Sequence, residues 1–179
     1  MNIGSIKNIV IEKRLNMDKG ELSIRTIEEE DLEKIHIWNS TEFRGDYQEC
    51  ELSSLHKMKK RFAENSFFTD EFQMLMVTNK NERVGMVYLN FIRTGFVKIG
   101  IVLDSSNRYK GIGTDVTRMI CDYLFDNYQV KRIEADTDAE NVAAQRVLEK
   151  AGFKQEGRLE AYRFHHGKYN DSLIYGLVK

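Results

Sequence analysis

A chain of 179 residues with 41% hydrophobic residues, no proline and 12 glycines has the size of one globular domain, able to bury a core without a metal or disulfides. Its 27 Lys and Arg against 28 Asp and Glu leave a formal net charge of -1, which excludes the broad basic footprint of non-specific nucleic-acid binding. No apolar run reaches the roughly 18 residues of a membrane span, the start MNIGSIKNIV lacks a signal-peptide layout, and Cys50 and Cys121 form no CxxC pair. A reduced, cytoplasmic protein with no nucleic-acid, membrane or metal partner is expected.

Residues 6 to 14 (IKNIVIEKR) and 22 to 27 (LSIRTI) are β-leaning runs around Asn16, Asp18 and Gly20, the composition of a hairpin connection. Residues 1–20 are accordingly an extension or extra strand, and 21–179 the domain proper. Leu32, Ile35 and Trp38 recur at helical spacing behind the acids of Thr26 to Glu30, which suits a helix start. Leu55, Met58 and Phe62 mark a second helix after Ser53 and Ser54, its Lys57, Lys59, Lys60 and Arg61 forming a solvated face. From Phe72 the period is that of strands: FQMLMVT, RVGMVYLNFI and FVKIGIVL, joined by short polar turns and therefore antiparallel. The turn SSNRYKGIG leads into a helix through Val116, Met119, Ile120, Tyr123 and Leu124 and then the strand KRIEADT. That is a β-α-β unit with parallel strands and a right-handed crossover. A last helix carries Ala144, Val147, Leu148 and Ala151 and stops at Gly152, and two strands around 153–164 and 169–178, turned near His165 to Lys168, close the chain.

The sharpest chemical signal is Arg108-Tyr109-Lys110-Gly111-Ile112-Gly113-Thr114, between a buried strand and an amphipathic helix. The first amides of a helix lack partners and sit at its positive dipole end, so glycines that admit close backbone approach make an anion cradle there. Arg108 and Lys110 add cations, and pyrophosphate is the natural ligand. A solvated turn has the same composition. A dinucleotide fingerprint would need a third glycine where Val116 stands, although Glu134 lies where a ribose-binding acid would fall. NAD binding is therefore the second reading.

Arg108, Gly111 and Gly113 meet the pyrophosphate signature [RQ]xxGx[GA]; Asn141 to Phe153 has the form N, helix, GF; and the chain ends in EGRLEAYRFHHGKYNDSLIYGL. In these three segments, in order across about residues 22–179, the sequence resembles the GNAT superfamily of acyl-CoA-dependent N-acetyltransferases and, within it, the ribosomal-protein-acetyltransferase (RimJ/RimL-like) branch. The resemblance implies an α+β fold with a strongly twisted mixed sheet and helices on both faces. It implies that the strands either side of the glycine turn and its helix splay apart to admit the pantetheine of acetyl-CoA, the co-substrate. Ile101 and Leu103 would pair with pantetheine through their backbones, one amide there serving as oxyanion donor, and Gly100 would be a bulge or close-approach point. Arg108, Tyr109, Lys110, Gly111, Ile112, Gly113 and Thr114 would hold pyrophosphate. Asn141 would offer its carboxamide to pantetheine, beside its plain role as a helix N-cap.

Acetyl transfer needs a neutral amine, so a base and an acid for the leaving thiolate are expected. The family's tyrosine position holds Leu148, the branch's serine position Ala144, and the glutamate before IG is Lys98. Glu134 and Asp136 remain as candidate bases, with solvated strand-end acids as the alternative. Tyr47 is a candidate substrate contact and Trp38 a core residue, whereas His165 and His166 read as a solvated hairpin, lacking partners at metal-ligand spacing. Lys98 and Arg163, with Arg158 and Lys168, border the acceptor site by the resemblance and would repel a polycation, unless they pair with Glu156 and Glu160. The expected activity is acetyl transfer to the amine of a small molecule or protein N-terminus, by direct attack in a ternary complex, in a monomer or homodimer. An NAD-dependent oxidoreductase and a non-catalytic acyl-CoA-binding module are the alternatives.

Overall fold

The computed structural model describes residues 17–39, 43, 45–47 and 53–179. The strands are β1 Met17–Lys19, β2 Leu22–Thr26, β3 Phe72–Asn79, β4 Glu82–Arg93, β5 Phe96–Leu103, β6 Arg132–Asp138, β7 Lys154–His165 and β8 Lys168–Val178. The helices are α1 Leu32–Trp38, α2 Leu55–Asn65, α3 Ile112–Asn127 and α4 Val142–Lys150. One eight-stranded sheet runs in the order β1-β2-β3-β4-β5-β6-β8-β7. Its neighbours are antiparallel except β5 and β6, joined through α3 as the parallel crossover unit. Such a sheet is not doubly wound, which removes the structural basis for the NAD-dependent alternative.

Local chemistry explains most of the connections. Lys80 and Asn81, and likewise His166 and Gly167, have positive φ, the requirement of the two-residue turns that match strand twist. β2 pairs with Met17–Lys19, and the turn between them falls at Gly20, with φ +65°; the expected strand over residues 6–14 lies outside the described residues. Residues 17–19 therefore belong to the sheet. Ser54 caps α2 by accepting the Lys57 N–H at 3.4 Å. Gly152, φ +97°, ends α4, and the Phe153 N–H returns to the Leu148 carbonyl at 3.0 Å.

Two apolar clusters hold the helices on opposite faces of the sheet. On one face Leu75, Val87, Leu89, Val97, Ile99, Ile133 and Ala135 pack with Val116, Ile120 and Leu124 of α3 and Leu148 of α4. On the other, Met76, Met86 and Val102 pack with Leu32, Ile35 and Trp38 of α1, and Met58 and Phe62 of α2 lie against them. Each fully buried large side chain contributes about 1.5–3 kcal/mol. Trp38 stacks on Phe43 with centroids 4.5 Å apart, in the core as expected. Asp31 ties α1 to the sheet: its buried carboxylate accepts from Arg25 at 2.7 and 2.9 Å, from Arg83, and from the Glu28 N–H at 2.8 Å. Burial alone would raise its pKa, but the two guanidiniums more than offset this and hold it below the usual aspartate range.

Candidate functional site

β5 and β6 pair over three positions only, Phe96↔Arg132, Val97↔Ile133 and Lys98↔Glu134. Beyond them β5 stays with β4 as far as Leu103, and β6 stays with β8 as far as Asp138. Each pair follows its own twist, and a gap opens between them. The Asp104 N–H donates to the Val84 carbonyl on the β4 side at 2.9 Å, which sets the phase of β5. Alternation then turns the Gly100 and Val102 amides toward β4, and the backbone groups of Ile101 and Leu103 toward the gap. The Leu103 carbonyl is occupied by Arg108 Nε at 3.0 Å, so its N–H and both backbone groups of Ile101 are what the gap offers a ligand. The β4–β5 register is regular through Gly100, and a Cβ there would make an ordinary 3.8 Å contact with Tyr88. Gly100 is thus not a bulge, and no atom of the described chain crowds it.

The gap opens toward the glycine turn. Tyr109, 91% exposed, has φ +61°, and Gly111, φ +85°, is the N-cap of α3 without a capping side chain. The Thr114 and Asp115 amides both donate to the Gly111 carbonyl, at 3.0 and 3.2 Å. The Ile112 and Gly113 amides precede them and have no acceptor within the helix, so they stand free at the positive end of a 16-residue helix. Lys110 is exposed beside them. Asp115, an anion in this first turn, is neutralised by Lys19 of β1 at 2.6 Å. A Cβ on Gly113 would lie 3.4 Å from Val147 Cγ2, so the turn nests against α4. Arg108 also ties the turn to its surroundings: besides Leu103 it donates to the Phe43 carbonyl and binds the α1–α2 connection to the end of β5. Asn141 caps α4, its Oδ1 accepting the Ala144 N–H at 3.1 Å.

The face covered by α1 and α2 carries the charges. Alternation puts Lys98 on the side of Val102, and Glu134, Asp136 and Asp138 opposite Ile133 and Ala135. Asp136 lies between Lys98 Nζ at 2.5 Å and the Arg163 guanidinium, with Ser172 Oγ donating to it at 3.3 Å. Burial alone would raise its pKa, but Lys98 and Arg163 more than offset that and hold the carboxyl below the usual aspartate range. Two expectations are corrected here. Asp136 is an ion-paired anion and a weak base, and Lys98 and Arg163 are its counter-ions rather than free cations for an acceptor. Arg158 pairs with Asp171 at 2.6 Å, so the expected partners Glu156 and Glu160 are also replaced, by Asp136 and Asp171. Glu134 is held by Arg132 at 3.1 Å, and the same guanidinium binds Glu156.

His165 also departs from its sequence reading. It is 8% exposed, and its Nε2 lies 2.7 Å from Asp138 Oδ2. His166 is the exposed member of the pair and faces Asp46 at 3.9 Å, bringing the β7–β8 hairpin against the α1–α2 connection that holds half-buried Tyr47. Strand parity with Arg163 was the signal that places His165 on this face; proximity to Asp138 spans 27 residues and has no local signature. Cys121 is buried, and burial pushes its thiol up to about 12. Among the described residues no three His, Cys, Asp or Glu side chains gather as a metal site, and no helix is long and apolar enough to cross a membrane.

The family described as "Acetyltransferase (GNAT) domain" matches residues 21–154. A probable N-acetyltransferase of Bacillus subtilis, YjcK, is 38% identical over 113 residues, which cover 61% of this chain and 62% of the relative, so the chain spans less than two thirds of that protein's length. Among solved structures, RimL, the ribosomal L7/L12 alpha-N-protein acetyltransferase in complex with coenzyme A, superposes with TM-score 0.80 at 18% identity, over 89% of this chain and 95% of that one. Spermidine N-acetyltransferase from Vibrio cholerae in complex with CoA and spermine has TM-score 0.80 at 22% identity, over 89% and 96% of the two chains. The parted strands, the glycine turn at the head of α3 and the family match over most of the chain agree: this protein belongs to the GNAT acetyltransferase family.

Proposed function

We propose that this protein is an acetyl-CoA-dependent N-acetyltransferase acting on an amine of a small molecule or a protein N-terminus. The observation that carries this reading is the gap between β5 and β6, lined by free backbone groups of Ile101 and Leu103 and leading to the unpaired Ile112 and Gly113 amides. The donor set fits the co-substrate: an extended amide-bearing arm matches strand-like backbone groups, and a pyrophosphate matches helix-start amides with Lys110 alongside. Acetyl-CoA, when bound, supplies an activated acetyl thioester. The Ile101 or Leu103 N–H, aimed into the gap, is the donor available to stabilise charge on the reacting carbonyl.

Direct attack by the amine is favoured, because Cys121 is buried and protonated at neutral pH and offers no thiolate for a covalent intermediate. The acceptor face is less cationic than the sequence alone suggests. Asp136 balances one of the two charges of Lys98 and Arg163, and Asp171 balances that of Arg158. Glu28, Glu29, Glu30 and Glu33 line a hollow at the start of α1 together with Lys59, an excess of negative charge on the α1–α2 side. A cationic amine is therefore an admissible acceptor. The test is release of free thiol from acetyl-CoA with spermidine, kanamycin and a peptide with N-terminal serine, with mass spectrometry of the product. N-acetylation of at least one is expected; CoA binding without acetylation of any amine would overturn the reading.

A further inference from the structure

The acceptor face contains one basic atom whose surroundings differ from all its neighbours. Asp138, fully buried, accepts the Glu140 N–H on Oδ1 at 2.7 Å and lies 2.7 Å from His165 Nε2 through Oδ2. A carboxylate that only accepts places a proton on Nε2, and in the neutral imidazole this leaves Nδ1 as a bare acceptor. Nδ1 is buried and, among the described residues, has no hydrogen-bond partner. A buried unsatisfied acceptor costs about 1–3 kcal/mol, and such groups in native structures mark sites awaiting a partner. The other acids of β6 on this face are occupied: Asp136 by Lys98 and Arg163, Glu134 by Arg132.

We infer that His165 is the general base of the transfer, oriented by Asp138, an assignment that rests on the acetyltransferase reading above. Arg163 and His165 alternate on β7 and reach over β8 to Asp136 and Asp138, which alternate on β6 beyond the point where β5 leaves it. The dyad thus stands on the face that carries Lys98 and Asp136, with Asp138 on the strand that lines the gap. An acceptor ammonium gives a proton to Nδ1; the neutral amine then forms the C–N bond to the acetyl carbon as the C–S bond breaks. Its second proton goes to the departing thiolate, and His165 returns the first to solvent, so one acetamide, one thiol and one proton result. Histidine is the side chain most often used for such a proton transfer. The charged and titratable groups around His165 are Asp138 on β6, Lys168 opposite it on β8, His166 with its ring 5.5 Å away, Asp46 behind His166, and Arg163 one rung back.

The test combines nitrogen NMR of the whole chain with kinetics on the best of the three amines named above. The His165 spectrum at pH 8 should report the Nε2–H tautomer with unprotonated Nδ1. His165→Gln should lower kcat/KM about 100-fold or more and abolish the acid limb of its pH profile, with CoA affinity by calorimetry unchanged. Asp138→Asn, which keeps the imidazole, should also lower kcat/KM and disturb the tautomer. An Nδ1–H tautomer in the wild-type protein, or a His165→Gln protein with wild-type kcat/KM and acid limb, overturns the assignment while leaving the transferase reading intact. Absence of wild-type turnover with every amine overturns both. Should His165→Gln not fold, the tautomer and Asp138→Asn decide.

Discussion

Along the gap between β5 and β6, the side that leads to α3 is built from backbone amides and glycines, whereas the side under α1 and α2 is built from charged side chains of several strands. The first side needs only strand phase, a left-handed Gly111 and a helix start, all set by residues within a few positions of one another. The second needs Lys98, Asp136 and Arg163 to meet across the fold. The contrast teaches that a ligand bound by main chain constrains a short segment, while an acceptor surface is free to be assembled from anywhere. The relatives fit that division: one has a ribosomal protein in its name and the other spermidine, on the same fold.

The largest effect that could break the comparison lies on the charged side. Asp136→Asn leaves two largely buried cations without their counter-ion and should destabilise the protein by about 3 kcal/mol or more at pH 7, read by urea unfolding. The pH dependence has a definite sign. The folded pKa is below that of the unfolded chain, about 3.9, so the stabilisation is fully present above that value and is lost as pH falls through the lowered folded pKa. The variant should lack this acid-side loss; an unfolding midpoint equal to wild type would mean the triad adds nothing.

A smaller effect sharpens the backbone side. Gly113→Asp puts bulk and a negative charge at the free amides of α3 and should weaken CoA binding about 100-fold, roughly 2.7 kcal/mol, by calorimetry. Gly113 is chosen over Gly111, whose φ of +85° would strain any side chain, whereas a Cβ at Gly113 makes ordinary contacts with Val147 at 3.4 Å and Leu103 at 3.7 Å. The melting temperature should therefore stay near that of wild type. Undiminished CoA affinity would reduce the glycine turn to a connection.

Legibility followed the same division. The strands from Phe72 to Leu103, the crossover through α3, and the Gly152 stop were readable because period and turn chemistry are local. So was the cap at Asn141. The ion pairs were not: Lys98 and Arg163 read as free cations because their partner lies on another strand, and Asp136 read as a base for the same reason. His165 and His166 are adjacent in sequence but opposite in environment, one buried on Asp138 at the end of β7 and one exposed in the turn that follows, where its φ is +53°. Gly100 misled in the other direction: a glycine beside the gap suggests a bulge, yet the register there is unbroken.

Amide exchange along β5 tests the central claim most directly. The Gly100 and Val102 amides face β4 and should exchange slowly in the free and CoA-bound protein alike, while Ile101 and Leu103 face the gap. Saturating CoA should slow Ile101 and Leu103 by about tenfold or more, with little change at Gly100 and Val102. Exchange at Ile101 and Leu103 that is unaffected by bound CoA would contradict the account, because the co-substrate would then lie somewhere other than the gap between β5 and β6.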